Sequence, residues 1–123
     1  MKKIIFYSYP KCSTCRKASK WLDQKGFVYQ LIDIVKETPS AKYLNLALKE
    51  YSSEKRKIFN TRGKSFKSID FDIQDSSNEE IIRLLSSDGK LIKRPFLVYE
   101  EKNIILGFNE TEYTNNLEKD LIL

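Results

Sequence analysis

The spacing of apolar residues changes several times along the chain, and each change predicts an element. Lys3-Ile4-Ile5-Phe6-Tyr7 is a short apolar run with strand character. Tyr9-Pro10-Lys11 breaks it. From Cys12 onward, Cys15, Ala18, Trp21 and Leu22 recur at three- and four-residue spacing, which predicts a helix. Gly26 reads as the C′ residue that stops it. Residues 27–34 form a second strand candidate, so the chain opens with a β-α-β unit of parallel strands and a right-handed crossover. Thr38-Pro39 reads as an N-cap followed by proline at the first helical position. Leu44, Ala47, Leu48 and Tyr51 share one face of the helix that follows.

Residues 52–75 are polar and basic, with Ile58, Phe59, Phe66 and Ile69 as isolated apolar anchors. Short helices are expected there, near 54–59 and 64–68. Ser77 and Glu80 form a capping-box pattern before Ile81, Ile82, Leu84 and Leu85. Asp88-Gly89 ends that helix. Residues 95–99 and 103–106 are strand candidates, and Glu100-Glu101-Lys102 suits a hairpin connection. Asn109 and Glu112 start a final helix with Tyr113, Leu117 and Leu121 on one face. Strands bracket a helical middle, which predicts an α/β fold with a mixed sheet.

Composition narrows this picture. A chain of 123 residues predicts one domain, large enough to bury about two-thirds of its unfolded surface. No run approaches the ~20 apolar residues of a membrane span. The apolar residues after Met1-Lys2-Lys3 are too few for a signal peptide and lead directly into the cysteines, so a cytoplasmic location is expected. The formal net charge is +5. The basic residues are scattered and interleaved with acidic ones, so a solvated surface is favoured over a nucleic-acid patch, and neither direct DNA binding nor membrane contact is expected.

Cys12 and Cys15 are the two cysteines of the chain, and it contains no histidine. Structural zinc takes four ligands, mostly Cys and His, so a zinc site here would need carboxylates or a second chain. A disulfide across so short a loop removes little unfolded-state entropy, about 2 kcal/mol against about 4.7 for a 100-residue loop. Redox chemistry is the favoured reading, because C-x-x-C beside a β-α-β pattern has thioredoxin-like character. Cys12 falls at a strand-to-helix turn. Free backbone N–H groups and the positive helix end favour an anion there, and Lys11, Arg16 and Lys17 add positive charge. Cys15 lies one helical turn later, which suits a resolving thiol as well as a small buried hydrophobe. Taken alone, Arg94 reads as a surface ion-pair partner, Pro95 as a strand-opening residue and Trp21 as core.

The element order, with C-x-x-C after the first strand and a proline opening the third, resembles the thioredoxin/glutaredoxin fold. The segment from Phe6 to Ala18 (FYSYPKCSTCRKA) resembles the opening of the arsenate reductase-like family, which includes the Spx regulators. Ile58 to Gly63 (IFNTRG), Leu84 to Pro95 (LLSSDGKLIKRP) and Gly107-Phe108-Asn109-Glu110 resemble its later signatures. The resemblance implies a mixed four-stranded sheet, with a core over about 1–35 and 91–121 and a helical insertion over about 38–88. It also implies that Cys12 is the nucleophile, with glutathione and glutaredoxin, or thioredoxin, as reducing partners and no metal or organic cofactor.

By the same resemblance Arg94 holds an oxyanion, as a planar guanidinium can, and Pro95 is a cis-proline beside the thiol. Arg16, Asn60 and Arg62 complete the expected anion-binding set. Three positions depart from the reductase pattern. Asn60 stands where the reductases have an arginine, Gly107 where they have a third arginine, and Cys15 where glutathione-dependent members have serine. Loss of fixed cations weakens oxyanion binding, which argues against efficient arsenate reduction. The favoured expectation is a thiol-disulfide oxidoreductase in which Cys12 attacks and Cys15 resolves. The alternatives are a redox-sensing Spx-type regulator that binds the RNA polymerase α subunit, and an arsenate reductase.

Overall fold

The computed structural model describes residues 3–118. The expected Leu121 on the last helix lies outside them. Strand β1 (Ile4–Ser8) is central. It pairs in parallel with β2 (Gln30–Asp33) and antiparallel with β3 (Phe96–Tyr99), which pairs antiparallel with β4 (Asn103–Leu106). The order β2-β1-β3-β4 is the mixed four-stranded sheet that the sequence predicts. β2 is shorter than expected, because Phe27, Val28 and Tyr29 lie outside the ladder.

Both faces of the sheet are covered, which explains why β1 is a continuous apolar run rather than an alternating one. Ile5, Tyr7, Phe96, Val98 and Ile104 face a core shared with Leu44, Leu48, Ile81 and Leu85. Ile4, Phe6, Leu97 and Ile105 face the opposite core with Ala18, Trp21, Leu22 and Tyr113. Helix α1 (Ser13–Gln24) covers this second face. It ends as expected: Gly26 adopts φ +77, and the Phe27 and Gly26 N–H groups donate to the Leu22 and Asp23 carbonyls at 3.0 and 3.1 Å. These two bonds are a Schellman motif.

Helix α2 (Ala41–Glu50) starts two residues later than Thr38-Pro39 suggests. Ser40 is the N-cap, with its hydroxyl accepting from Tyr43 N–H. Pro39 is buried, so it serves as packing ahead of the helix instead of as its first residue. A 3-10 turn (Lys55–Ile58), a short α3 (Lys64–Lys67) and α4 (Asn78–Ser87) follow. Ser77 caps α4 by accepting from Glu80 N–H at 3.1 Å. A 3-10 turn (Gly89–Leu91) leads into β3. The last element is α5 (Glu110–Tyr113), capped by Asn109 and continued by π-type turns over Thr114–Glu118.

Candidate active site

The cysteine site is built where β1 hands over to α1. The Tyr9-Pro10-Lys11 turn is closed by Cys12 N–H donating to the Tyr9 carbonyl at 3.0 Å. Cys12 is the N-cap of α1, and its Sγ accepts the Cys15 N–H at 3.2 Å. A thiol sulfur thus occupies the place where a serine or aspartate oxygen normally caps a helix. The sulfur there meets the N-terminal N–H groups of a 12-residue helix, the place that receives a capping acceptor.

Cys15 is a different kind of thiol. It is 1 % exposed. Burial, and then the contact with Cys12, push its thiol up to about 11. Both cysteines are free. Cys12 is half-buried and opens into a cleft of about 730 Å³. Lys11, Arg62, Lys93 and Arg94 line that cleft, and no carboxylate among the described residues does. The cleft therefore has the charge expected of a site for an anionic ligand.

Arg94 is half-buried and its guanidinium lies over the Tyr9 ring at 4.9 Å. It donates to the Lys90 carbonyl at 3.3 Å. The Asn60 amide donates to the same carbonyl at 3.4 Å. Asn60 N–H in turn donates to the Leu91 carbonyl at 2.8 Å, and Phe59 bridges Ile92. These bonds tie the segment around Asn60 to the segment around Arg94. The Arg94–Pro95 bond is cis, and the Pro95 carbonyl accepts from Gly107 N–H at 2.9 Å.

The structure thus brings Cys12, Asn60, Arg62 and Arg94 to one cleft. Arg16 of the expected set stands apart from these residues. Its guanidinium donates to the Pro10 carbonyl at 2.9 Å and supports the turn instead of lining the cleft. Pro95 does not line it either; it is buried behind the arginine. Lys93 was not singled out by sequence reasoning, although it does line the cleft. Its one signal in the sequence was its place beside Arg94. Among the described residues no group of His, Cys, Asp and Glu is placed to hold a metal ion, and no helix is long and apolar enough to cross a membrane.

Comparison with known proteins agrees across the whole chain. The ArsC family model matches residues 7–116. The Bacillus subtilis protein YusI is 37% identical over 115 residues, covering 92% of this chain and 97% of its own. The global transcriptional regulator Spx of Streptococcus mutans is 32% identical over 117 residues, covering 95% and 85%. A solved structure from Streptococcus mutans UA159, described as a possible arsenate reductase, matches with a TM-score of 0.81 and 38% identity, covering 100% of both chains.

Proposed function

The chain belongs to the ArsC family and has its thioredoxin-like fold, and from that premise we propose that it is a thiol-disulfide oxidoreductase. Cys12 is the nucleophile and Cys15 the resolving thiol. The observation that carries this reading is the capping contact between Cys12 Sγ and Cys15 N–H at the mouth of a cleft whose charged side chains, among the described residues, are all cationic. The thiol that opens to the cleft attacks; the buried one, a turn behind it, closes the disulfide and releases the attacked group. Arg94 binds an anionic group at the cleft. Glutathione, glutaredoxin or thioredoxin returns the protein to the dithiol, and the site works in the reducing cytoplasm without a metal or organic cofactor.

Oxidation of the protein with excess disulfide, followed by intact-mass measurement and peptide mapping, tests this. The wild type is expected to give an internal Cys12–Cys15 disulfide. Cys15→Ser is expected to stop at a mixed disulfide on Cys12, and Cys12→Ser to stay unmodified. Oxidation of Cys12→Ser at the wild-type rate would overturn the reading.

A second reading is favoured by the relatives named as regulators, including Spx at 32% identity. In it the same cysteine pair senses oxidation and the protein binds the RNA polymerase α subunit. Residues 49–54 carry no glycine, unlike the loop that Spx proteins present to that partner. Co-precipitation with the carboxy-terminal domain of the polymerase α subunit, with and without oxidant, separates the readings. Absence of binding in both states removes the regulator. Arsenate reduction is the third reading. Asn60 and Gly107 weigh against it, because both are uncharged where the reductase pattern has an arginine to hold the oxyanion. A coupled assay of arsenate with glutathione and glutaredoxin, against Cys12→Ser, decides it.

A further inference from the structure

Strand β2 is an edge of the sheet, with β1 on one side and no strand on the other among the described residues. In a strand the N–H and C=O of one residue point to one side and those of the next to the other. Ile34 N–H donates to the Ser8 carbonyl, so residues 30, 32 and 34 turn their backbone towards β1. Tyr29, Leu31 and Asp33 turn theirs outward. The same edge carries exposed apolar side chains. Val28, Leu31 and Val35 are 67, 64 and 38 % exposed, three of the four large hydrophobics exposed among the described residues. β4, the opposite edge, keeps Ile104 and Ile105 buried. Edges left to water are commonly blunted by lysine or proline, and residues 27–33 contain neither. A hollow of about 350 Å³ beside Leu31, lined also by Pro10 and Ile32, leaves room for a side chain laid along the edge.

These outward groups match a second copy of themselves. Set antiparallel about a two-fold axis at Leu31, the Leu31 residues of two copies exchange both N–H···O bonds. Asp33 N–H of each copy then faces the Tyr29 carbonyl of the other. The Asp33 carbonyl is taken, accepting from Lys36 and Glu37 N–H at 3.1 and 2.9 Å, so the ladder ends there. The charges match too. Within residues 25–37 the charged side chains are Lys25, Asp33, Lys36 and Glu37. The axis sets position Lys25 against Glu37, Lys36 against Gly26 and Asp33 against Tyr29, so no charge meets its like. It sets Val28 against Ile34 and Val35 against Phe27. An axis at Asp33 would instead put two carboxylates face to face. Lys25 and Glu37 are both exposed, and Lys25 has Glu118 of its own chain at 3.2 Å.

We propose that the β2 edge is the docking surface for a second copy of this chain, paired antiparallel about Leu31 so that two four-stranded sheets become one. The inference does not depend on the chemistry assigned to Cys12. The hollow at the edge and the cysteine cleft share no lining residue, so the cleft of each copy stays open in the pair.

Sedimentation equilibrium from about 10 µM to about 1 mM tests this, a range that suits the weak association of a small interface. The wild type is expected to pass from monomer to dimer with concentration. Leu31→Lys sets two ammonium groups together on the axis and is expected to weaken dimerisation about tenfold or more. Its far-UV circular dichroism and its rate of Cys12 alkylation are expected to equal those of the wild type, because Leu31 is exposed and outside the cysteine cleft. Lys25→Glu and Glu37→Lys each bring like charges together at both symmetric positions. Each is expected to dimerise about three- to tenfold more weakly, an effect that high salt reduces. An equimolar mixture of these two variants restores opposite charges at both positions and is expected to dimerise as the wild type does. A wild type that is monomeric at the highest concentration would overturn the proposal and leave the edge to a strand from a different protein or to water. Leu31→Lys that dimerises as the wild type does would overturn it as well. A mixture that dimerises no better than its components would overturn the pairing about Leu31.

Discussion

At the scale of single residues, the site is two identical side chains in unlike surroundings. Cys12 opens to the cleft, and Cys15 is sealed beneath it with its thiol pushed up to about 11, first by burial. A thiol raised that far stays protonated through neutral pH, and its thiolate fraction grows about tenfold per pH unit below that value. Disulfide closure depends on that thiolate. Closure of a Cys12 mixed disulfide is therefore expected to accelerate about tenfold per pH unit between pH 7 and 10. Stopped-flow release of a chromophoric second thiol measures it, and a flat profile would contradict the role given to Cys15. Iodoacetamide at pH 7.5 is likewise expected to label Cys12 well before Cys15, as read by peptide mapping. Equal labelling would show that the burial is not maintained in solution. The cysteine pair was legible because helical spacing begins at Cys12, which is a local signal. The direction of Arg16 was not, since it is set by how the Pro10 turn folds back. Nor was the place of Lys93 at the cleft, where its stem passes close to Gly107 at the end of β4.

At the scale of elements, polar signals placed most boundaries and failed where proline competes with a hydroxyl. Gly26, Ser77 and Asn109 act as the sequence predicts. At α2 the Thr38-Pro39 pair predicts a start that Ser40 takes instead, because Pro39 is buried. The far end of α2 carries an unfavourable charge. Glu50 is its last residue, where a carboxylate opposes the negative helix end. Its carboxyl is raised above the ordinary value, first by burial and then by Glu112 across a shared pocket. A carboxyl with a raised folded-state value binds its proton more tightly in the native state than in the unfolded chain. Stability from this group therefore falls as pH rises through the carboxylate range, and is regained on acidification. Glu50→Gln is expected to stabilise the protein at pH 7 by a few tenths of a kcal/mol, about 0.3–1 at most, because the site is partly screened. Thermal melts should show the gain shrinking towards pH 4. A gain independent of pH would assign the effect to packing.

At the scale of the whole molecule, the helical segment between β2 and β3 is joined to the sheet by backbone as well as by side chains. The clearest junction is Gly89, buried at the start of the turn that leads to Arg94 and β3. A Cβ there would overlap the Ile34 carbonyl oxygen and stand 2.8 Å from its carbonyl carbon. Ile34 N–H in turn donates to the Ser8 carbonyl at 2.9 Å, at the end of β1 that feeds the cysteine turn. The sequence showed Asp88-Gly89 as a helix stop, a local role. It could not show that this glycine touches a residue far back in the chain, because such contacts arise only when the elements assemble. Gly26 is the natural control. It needs its positive φ, but a Cβ there would meet nothing within 4 Å. Gly26→Ala is expected to lose about 1–2 kcal/mol through backbone conformation alone. Gly89→Ala is expected to lose more, since overpacking costs about 1–3 kcal/mol or above and the opposing atoms are backbone. Urea unfolding measures both. Gly89→Ala is also expected to slow Cys12 attack on oxidised glutathione, because the Lys90 carbonyl beside it accepts from both Asn60 and Arg94. If Gly89→Ala is no less stable than Gly26→Ala and reacts at the wild-type rate, the helical segment is not held against the sheet at this point.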